Sequence, residues 1–137
     1  MSADAHVQSI QSLYAAFGRG DIPAILELLS DEVLWIHTGA PELPYGRTYH
    51  GKKGVAQFFQ DLAGVLEFPV FEAHTFLSDG TRVVAIGRYE AKAPATGRGA
   101  ADDWAMLWTF EQGKIVRYQA FVDTLSGAKT LGTLVPA

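Results

Sequence analysis

Trp104-Ala105-Met106-Leu107-Trp108-Thr109-Phe110-Glu111-Gln112-Gly113-Lys114-Ile115-Val116-Arg117-Tyr118-Gln119-Ala120-Phe121-Val122 is the stretch that decides the fold. Two runs rich in aromatic and β-branched residues flank Gln112-Gly113, which reads as a hairpin. Side chains alternate across a strand, so Trp104, Met106 and Trp108 share one face. Tyr118 is expected on that same inner face. Phe110, Ile115 and Phe121 are expected on the outer face, apolar and exposed. Upstream, Arg82 to Ala91 and Phe71 to Leu77 read as two more strands, joined through the turn signal Ser78-Asp79-Gly80. The small, polar stretch from Ala93 to Asp103, with Pro94 to Gly99 at its heart, reads as a loop.

The first half of the chain has a different period. Val7, Ile10, Tyr14 and Phe17 recur at steps of three and four, the spacing of one helical face, and Leu13 widens it. Gly18 and Gly20 stop that helix. Asp21 is suited to cap the next one, with Pro23 in its first turn and Ile22, Ile25, Leu26, Leu28 and Leu29 as its apolar side chains. Ser30-Asp31-Glu32 reads as a turn, Val33 to Thr38 as a strand, and Gly39 to Gly51, with two prolines and three glycines, as a loop at the mouth of something. Val55, Phe58, Phe59, Leu62, Val65 and Leu66 then mark the face of a third helix. Asp123-Thr124 suits the start of a short C-terminal helix or tail ending near Leu134. Helices bunched before hairpin-linked strands mean α+β. A long antiparallel sheet twists. The expected architecture is therefore a cone-shaped α+β barrel, with three N-terminal helices packed in the concave face of a curved, mostly antiparallel sheet.

At 137 residues the chain is the size of a single domain, 1–137, with a core over about 7–125 and a tail over 126–137. Apolar residues make up 48 % and charged residues 19 %, enough for a packed core. Eleven Lys and Arg against fifteen Asp and Glu give a formal charge of −4, which argues against a nucleic-acid partner. With no cysteine, disulfides, thiolate catalysis and Cys-ligated zinc are excluded. No run is long and apolar enough for a membrane span, and the N-terminus lacks the pattern of a signal peptide, so a cytoplasmic protein with no membrane partner is expected.

Several stretches resemble one known group. Tyr14-Ala15-Ala16-Phe17-x-x-Gly20-Asp21 and Leu28-Leu29-Ser30-Asp31-Glu32-Val33-x-Trp35 look like the opening of the nuclear transport factor 2-like superfamily. Tyr49-x-Gly51-x-x-Gly54-Val55-x-x-Phe58-Phe59 and Trp108-Thr109-Phe110-x-x-Gly113-Lys114-Ile115-Val116 are similar to its middle and its last hairpin. The branch is the SnoaL-like one, with its polyketide cyclases and ketosteroid isomerase, and the resemblance covers residues 7 to 125. By that resemblance His37 stands where the isomerase has its general base. Met106 stands at the place of the protonated Asp, and Leu13, one residue before Tyr14, at the place of the helix-one tyrosine. The cyclases' His and Asp fall on Met106 and Ala120. Neither constellation is intact here.

The residues left on the inferred inner face still suit a ligand. Trp35, Trp104, Met106 and Trp108 form a wall for a small apolar or aromatic organic molecule. Tyr14 either joins that wall or only continues the helix face. His37 is the candidate acid or base, and Tyr118 or Tyr49 the hydrogen-bond donor; Tyr49 and Tyr45, in the loop at the mouth, are placed to add a hydroxyl. Asp123 is either a pocket acid or a helix cap; Arg88 is either an inward anion anchor or half of an outer-face ion pair. The function so implied is a SnoaL-like small-molecule-binding protein of the isomerase or cyclase type. The alternative is a non-catalytic ligand-binding or interaction module of the same fold. A homodimer is expected, through the exposed apolar sheet face. No cofactor is implied, and no metal, because His6, His37, His50 and His74 lack ligand spacing. Gly97-Arg98-Gly99-Ala100-Ala101-Asp102 falls short of a dinucleotide fingerprint, and no G-x-S-x-G elbow occurs.

Overall fold

Ala3–Gly18 forms the first helix, α1, in a computed structural model that describes residues 3–37, 39 and 41–133. Its deepest stripe is His6, Ile10, Leu13 and Ala16. Val7, Tyr14 and Phe17 flank that stripe, partly buried against the core. Gly20 takes the left-handed turn, at φ 71°, that lets the chain reverse. In α2 (Ile22–Glu27) the Asp21 carboxylate accepts from the Ala24 N–H at 3.2 Å, as a cap should.

The remaining elements are β1 (Leu29–His37), β2 (Thr48–His50), α3 (Gly51–Ala63), β3 (Glu67–Ser78), β4 (Arg82–Ala93), β5 (Arg98–Glu111), β6 (Lys114–Phe121) and α4 (Thr124–Leu131). The six strands form one curved, unclosed sheet in the order β2-β1-β6-β5-β4-β3. Every pairing is antiparallel except β1 with β6. The helices preceding the hairpins pack against this sheet: α3 lies on β1, and α1 on β3 and β4. The expected cone-shaped α+β fold is the one observed. Pro69 is tolerated inside β3 because that strand is an edge, where a missing N–H breaks no inner ladder.

Several local expectations need correction. Ser30-Asp31-Glu32 is not a turn but part of β1, which shifts register between Leu29 and Leu34. Asp31 and Glu32 are exposed there, and the pairing with β6 passes from Leu29 opposite Ile115 directly to Leu34 opposite Arg117. Gly39 to Gly51 is not all loop: Leu34, Trp35 and Ile36 pair with His50, Tyr49 and Thr48 to make β2. The stretch from Ala93 to Asp103 is mostly strand, since β5 begins at Arg98 and pairs residue by residue with β4. Small residues there are mostly exposed, and the ladder runs through them unbroken.

Phe110 and Ile115 do not lie exposed on the outer face: both are buried, and Phe110 stacks on His6 at 4.1 Å. Phe110 keeps the parity of Trp108, and a register shift between Thr109 and Phe110 brings Ile115 inward opposite it. Phe121 is exposed, as expected. Arg88 faces outward and pairs with Glu72 and Glu90, at 3.7 and 3.9 Å. The short C-terminal helix is α4, capped by Asp123, which accepts from the Ser126 N–H at 2.9 Å; Leu134 and Thr38 fall outside the described residues.

Candidate functional site

The concave face of the sheet and the helices above it do not meet everywhere. Between them lies an aromatic cavity. Counting its open side, the space between its walls is about 740 Å³; the part that the centre of a water molecule can reach is about 70 Å³. One water needs roughly 10–15 Å³ by the latter measure, so the cavity is narrow but admits more than a single water.

Strand alternation builds the sheet wall. β1 supplies Trp35 and His37, β5 supplies Trp104, Met106 and Trp108, and β6 supplies Tyr118. Tyr89 of β4 and Phe71 of β3 extend it. The opposite wall is Leu13, Tyr14 and Phe17 of α1 with Phe58, Phe59 and Leu62 of α3. Leu43 and Tyr45, in the segment between β1 and β2, and Val122-Asp123, before α4, complete the lining; only Asp123 of these residues is exposed.

The rings are in mutual contact. Trp35 stacks on Tyr118 with centroids 3.9 Å apart, and Trp108 leans on the same Tyr118 ring at 4.6 Å. The Trp108 indole N–H donates to the Tyr14 hydroxyl at 3.2 Å, which in turn donates to the Met106 sulfur at 3.1 Å. Trp104 stacks on Phe71 at 5.1 Å. The His37 ring, on a residue only 7 % exposed, meets Tyr45 edge-on at 5.2 Å and Phe58 at 5.3 Å. Its backbone N–H donates to the Arg47 carbonyl, which ties β1 to the following segment.

The electrostatics follow from burial. Desolvation pushes the Tyr14 and Tyr118 hydroxyls well above their ordinary range, and Tyr45 up to about 12. Tyr89 is raised by burial and by donating to the Asp102 carboxylate at 2.9 Å. All four phenols are therefore neutral at pH 7 and act as hydrogen-bonding groups, not as bases. Asp102 also accepts from the Ser126 hydroxyl at 2.7 Å, fastening α4 beside the cavity. Among the described residues no Lys or Arg belongs to the lining. Two indole N–H groups of the wall, on Trp35 and Trp104, are buried and have no hydrogen-bond partner.

Of the residues singled out from sequence, His37, Tyr118, Tyr14, Trp35, Trp104, Met106 and Trp108 come together around this one cavity. Tyr49 does not. It lies on β2, its hydroxyl donates to Asp61 at 2.7 Å, and Arg47 covers its ring at 4.6 Å. A short strand in place of the expected loop turns it that way. Both readings of Asp123 hold at once, as helix cap and as part of the lining. Tyr45, expected at the mouth, does line the cavity, whereas sequence reasoning missed Tyr89 and Phe71 as wall residues. The parity of Tyr89 with Val83 along β4 was the available signal. Among the described residues no cluster of three or more His, Asp or Glu is placed to hold a metal ion, and no helix is long and apolar enough to cross a membrane.

Comparison with known proteins gives one family match and, among others, three structural ones. The sequence model of the SnoaL-like domain matches residues 10–118. An NTF2-like protein of Burkholderia xenovorans LB400 superposes with a TM-score of 0.86 at 28 % identity, over 96 % of this chain and 98 % of that one. An NTF2-like protein of unknown function from Burkholderia pseudomallei K96243 does so at 0.84 and 29 %, with the same shares covered. TerC, co-crystallised with polyporic acid, superposes at 0.80 and 27 %, over 93 % of this chain and 98 % of TerC. No curated protein matches the chain.

Proposed function

The chain belongs to the SnoaL-like domain family, and from that premise we propose that it binds a small, flat, largely apolar organic molecule in the aromatic cavity. The observation that carries this reading is the lining itself: stacked rings from five strands and helices, without a Lys or Arg, around a narrow space. Aromatic walls of this kind reward a planar guest through area burial and ring contacts. The presence of polyporic acid in the related TerC crystal supports an aromatic guest.

Within this reading His37 is the acid or base. It is the one imidazole of the lining, and its ring reaches the cavity between Tyr45 and Phe58. An imidazole so placed takes a proton from a carbon acid and returns it elsewhere, the elementary step of isomerisation and cyclisation. Tyr118, kept neutral by burial, is the hydrogen-bond donor for the oxygen on which charge develops. A second reading, binding without turnover, is favoured by one specific feature. Met106 and Ala120 are direct cross-strand partners, and they stand where the resemblance implies an acidic or basic pair.

Deuterium exchange separates the two readings. A bound guest with a carbon acid, followed by NMR in D2O, loses its carbon-bound proton faster with the wild type than with His37→Phe, which keeps a ring against Tyr45 and Phe58. Equal exchange with both proteins, at equal binding, leaves His37 without the catalytic role and selects the second reading.

A further inference from the structure

The cavity is apolar, yet two of its wall residues carry strong donors with nowhere to donate. Trp35 and Trp104 are each 2 % exposed, and neither indole N–H has a hydrogen-bond partner. The third indole shows what the fold does when a donor is structural: Trp108 donates to Tyr14. All three tryptophans line the same cavity. Buried indole N–H groups normally find an acceptor, because an orphaned donor forfeits its bond to water. Both orphans sit within strand ladders, Trp35 opposite Tyr49 and Tyr118, and Trp104 opposite Gly87. Gly87 is what lets Trp104 lie where it does: a Cβ there would collide with the Trp104 ring and with the Glu72 carbonyl. The fold thus accommodates this indole at the cost of an unsatisfied donor.

We infer that the guest of this cavity carries carbonyl-type acceptor oxygen, as a ketone or quinone does, and that Trp35 and Trp104 select for it by donating their indole N–H groups. This deepens the proposed binding function and rests on it. With no Lys or Arg in the lining, neutral donors do the selecting. Both nitrogens are buried, so a guest reaches them as the wall side chains shift around it. A pure hydrocarbon of the same outline recovers the burial of its own surface but leaves both donors orphaned. The discrimination therefore falls between ketone and hydrocarbon, in the direction opposite to simple hydrophobicity.

The test compares 9-fluorenone with fluorene, which share a flat tricyclic outline and differ in C=O against CH2. Equilibrium dialysis gives the affinities. The chain's three tryptophans give three indole N–H signals in a 15N-labelled sample, assigned with Trp35→Phe, Trp104→Phe and Trp108→Phe. Fluorenone is expected to bind at least tenfold tighter than fluorene and to move the Trp35 or Trp104 signal downfield, while fluorene moves neither that way. Trp35→Phe or Trp104→Phe is expected to remove most of the preference. If fluorene binds as tightly as fluorenone, or only the Trp108 signal responds, the selection by Trp35 and Trp104 is overturned while binding in the cavity stands. If neither compound binds, the inference falls together with the reading beneath it. A variant that does not fold does not decide the matter, because the wild-type spectra with the two compounds do.

Discussion

Tyr14 and Trp108 lie 94 residues apart in the chain, yet the indole N–H of Trp108 donates to the hydroxyl of Tyr14 at 3.2 Å. The bond crosses the cavity from β5 to α1 and fixes the separation of its two walls. Tyr14→Phe removes the acceptor and leaves the Trp108 donor buried without a partner. The expected loss of stability is about 1–3 kcal/mol, read from urea unfolding. The Trp108 indole signal should move upfield in the same sample. Unchanged stability and an unmoved signal would mean that the two rings are held by packing alone.

Gly87 has a comparable role on the other side of Trp104. Its α-hydrogen faces the Trp104 ring and the Glu72 carbonyl where any Cβ would clash with both. Forced atoms in a packed wall cost about 1–3 kcal/mol. Gly87→Ala should therefore lower the midpoint of unfolding and shift the near-ultraviolet circular dichroism that the stacked Trp104 and Phe71 rings produce. A variant with both properties unchanged would show that the sheet yields at this point.

Asp79 organises the β3–β4 turn. Its carboxylate accepts from the backbone N–H groups of Thr81 and Arg82, at 3.0 and 2.7 Å, and from the Arg82 guanidinium at 2.8 Å. Those bonds, that from the Arg82 backbone first, hold its pKa down, at about 2 against an ordinary 3.8. Because the folded value is depressed, the stabilisation is complete above 3.8 and is lost as pH falls towards 2. The stability gap between wild type and Asp79→Asn should be constant from pH 7 to pH 5 and shrink below 3.8. The turn also presents the Gly80 carbonyl, which accepts from His6 Nδ1–H at 2.7 Å, so the variant should loosen the start of α1. A gap that does not change with pH would assign the effect to something other than the carboxylate.

The outer face of the sheet carries Leu77, Val84 and Leu107 as one row of cross-strand neighbours and Ile86, Ala105 and Phe121 as another. Leu77 is 59 % exposed and Phe121 50 %. Such a patch on a small domain favours a partner, and a two-fold pair of identical faces is the simplest one. Sedimentation at micromolar concentration should give twice the 14.9 kDa chain mass for the wild type and a shift to the single mass for Phe121→Glu. A wild-type monomer at that concentration would remove the homodimer from the account.

Periodicity made the helices and the four hairpin strands legible, because residues such as Val55, Phe58 and Leu62 or Trp104, Met106 and Trp108 carry their face in their spacing. It failed where backbone pairing needs no apolar side chain. Arg98 to Asp103 pair with β4 although their side chains are small or polar, and Ser30 to Glu32 are extended within β1 across a register shift. It also failed at Ile115, where a register shift rotates the face without leaving a mark in composition; Phe110 simply keeps the alternation of Trp104, Met106 and Trp108 and lies on their face. The β5 and β1 walls of the cavity were readable by alternation alone. Phe71 was not, because it reaches the cavity through the curl of an edge strand. Tyr49 was misplaced for the same reason in reverse: the β2 pairing turns its hydroxyl to Asp61.

The most direct test of the central claim, that the aromatic cavity is a ligand site, is a tryptophan fluorescence titration with polyporic acid and with 9-fluorenone. Run it in parallel on the wild type and on Met106→Trp, whose larger ring fills the space beside Tyr14. Saturable quenching at one site per chain in the wild type, at least tenfold weaker in a folded Met106→Trp, is the predicted result. Quenching by neither compound, or saturation that is the same with the cavity filled, would contradict the claim.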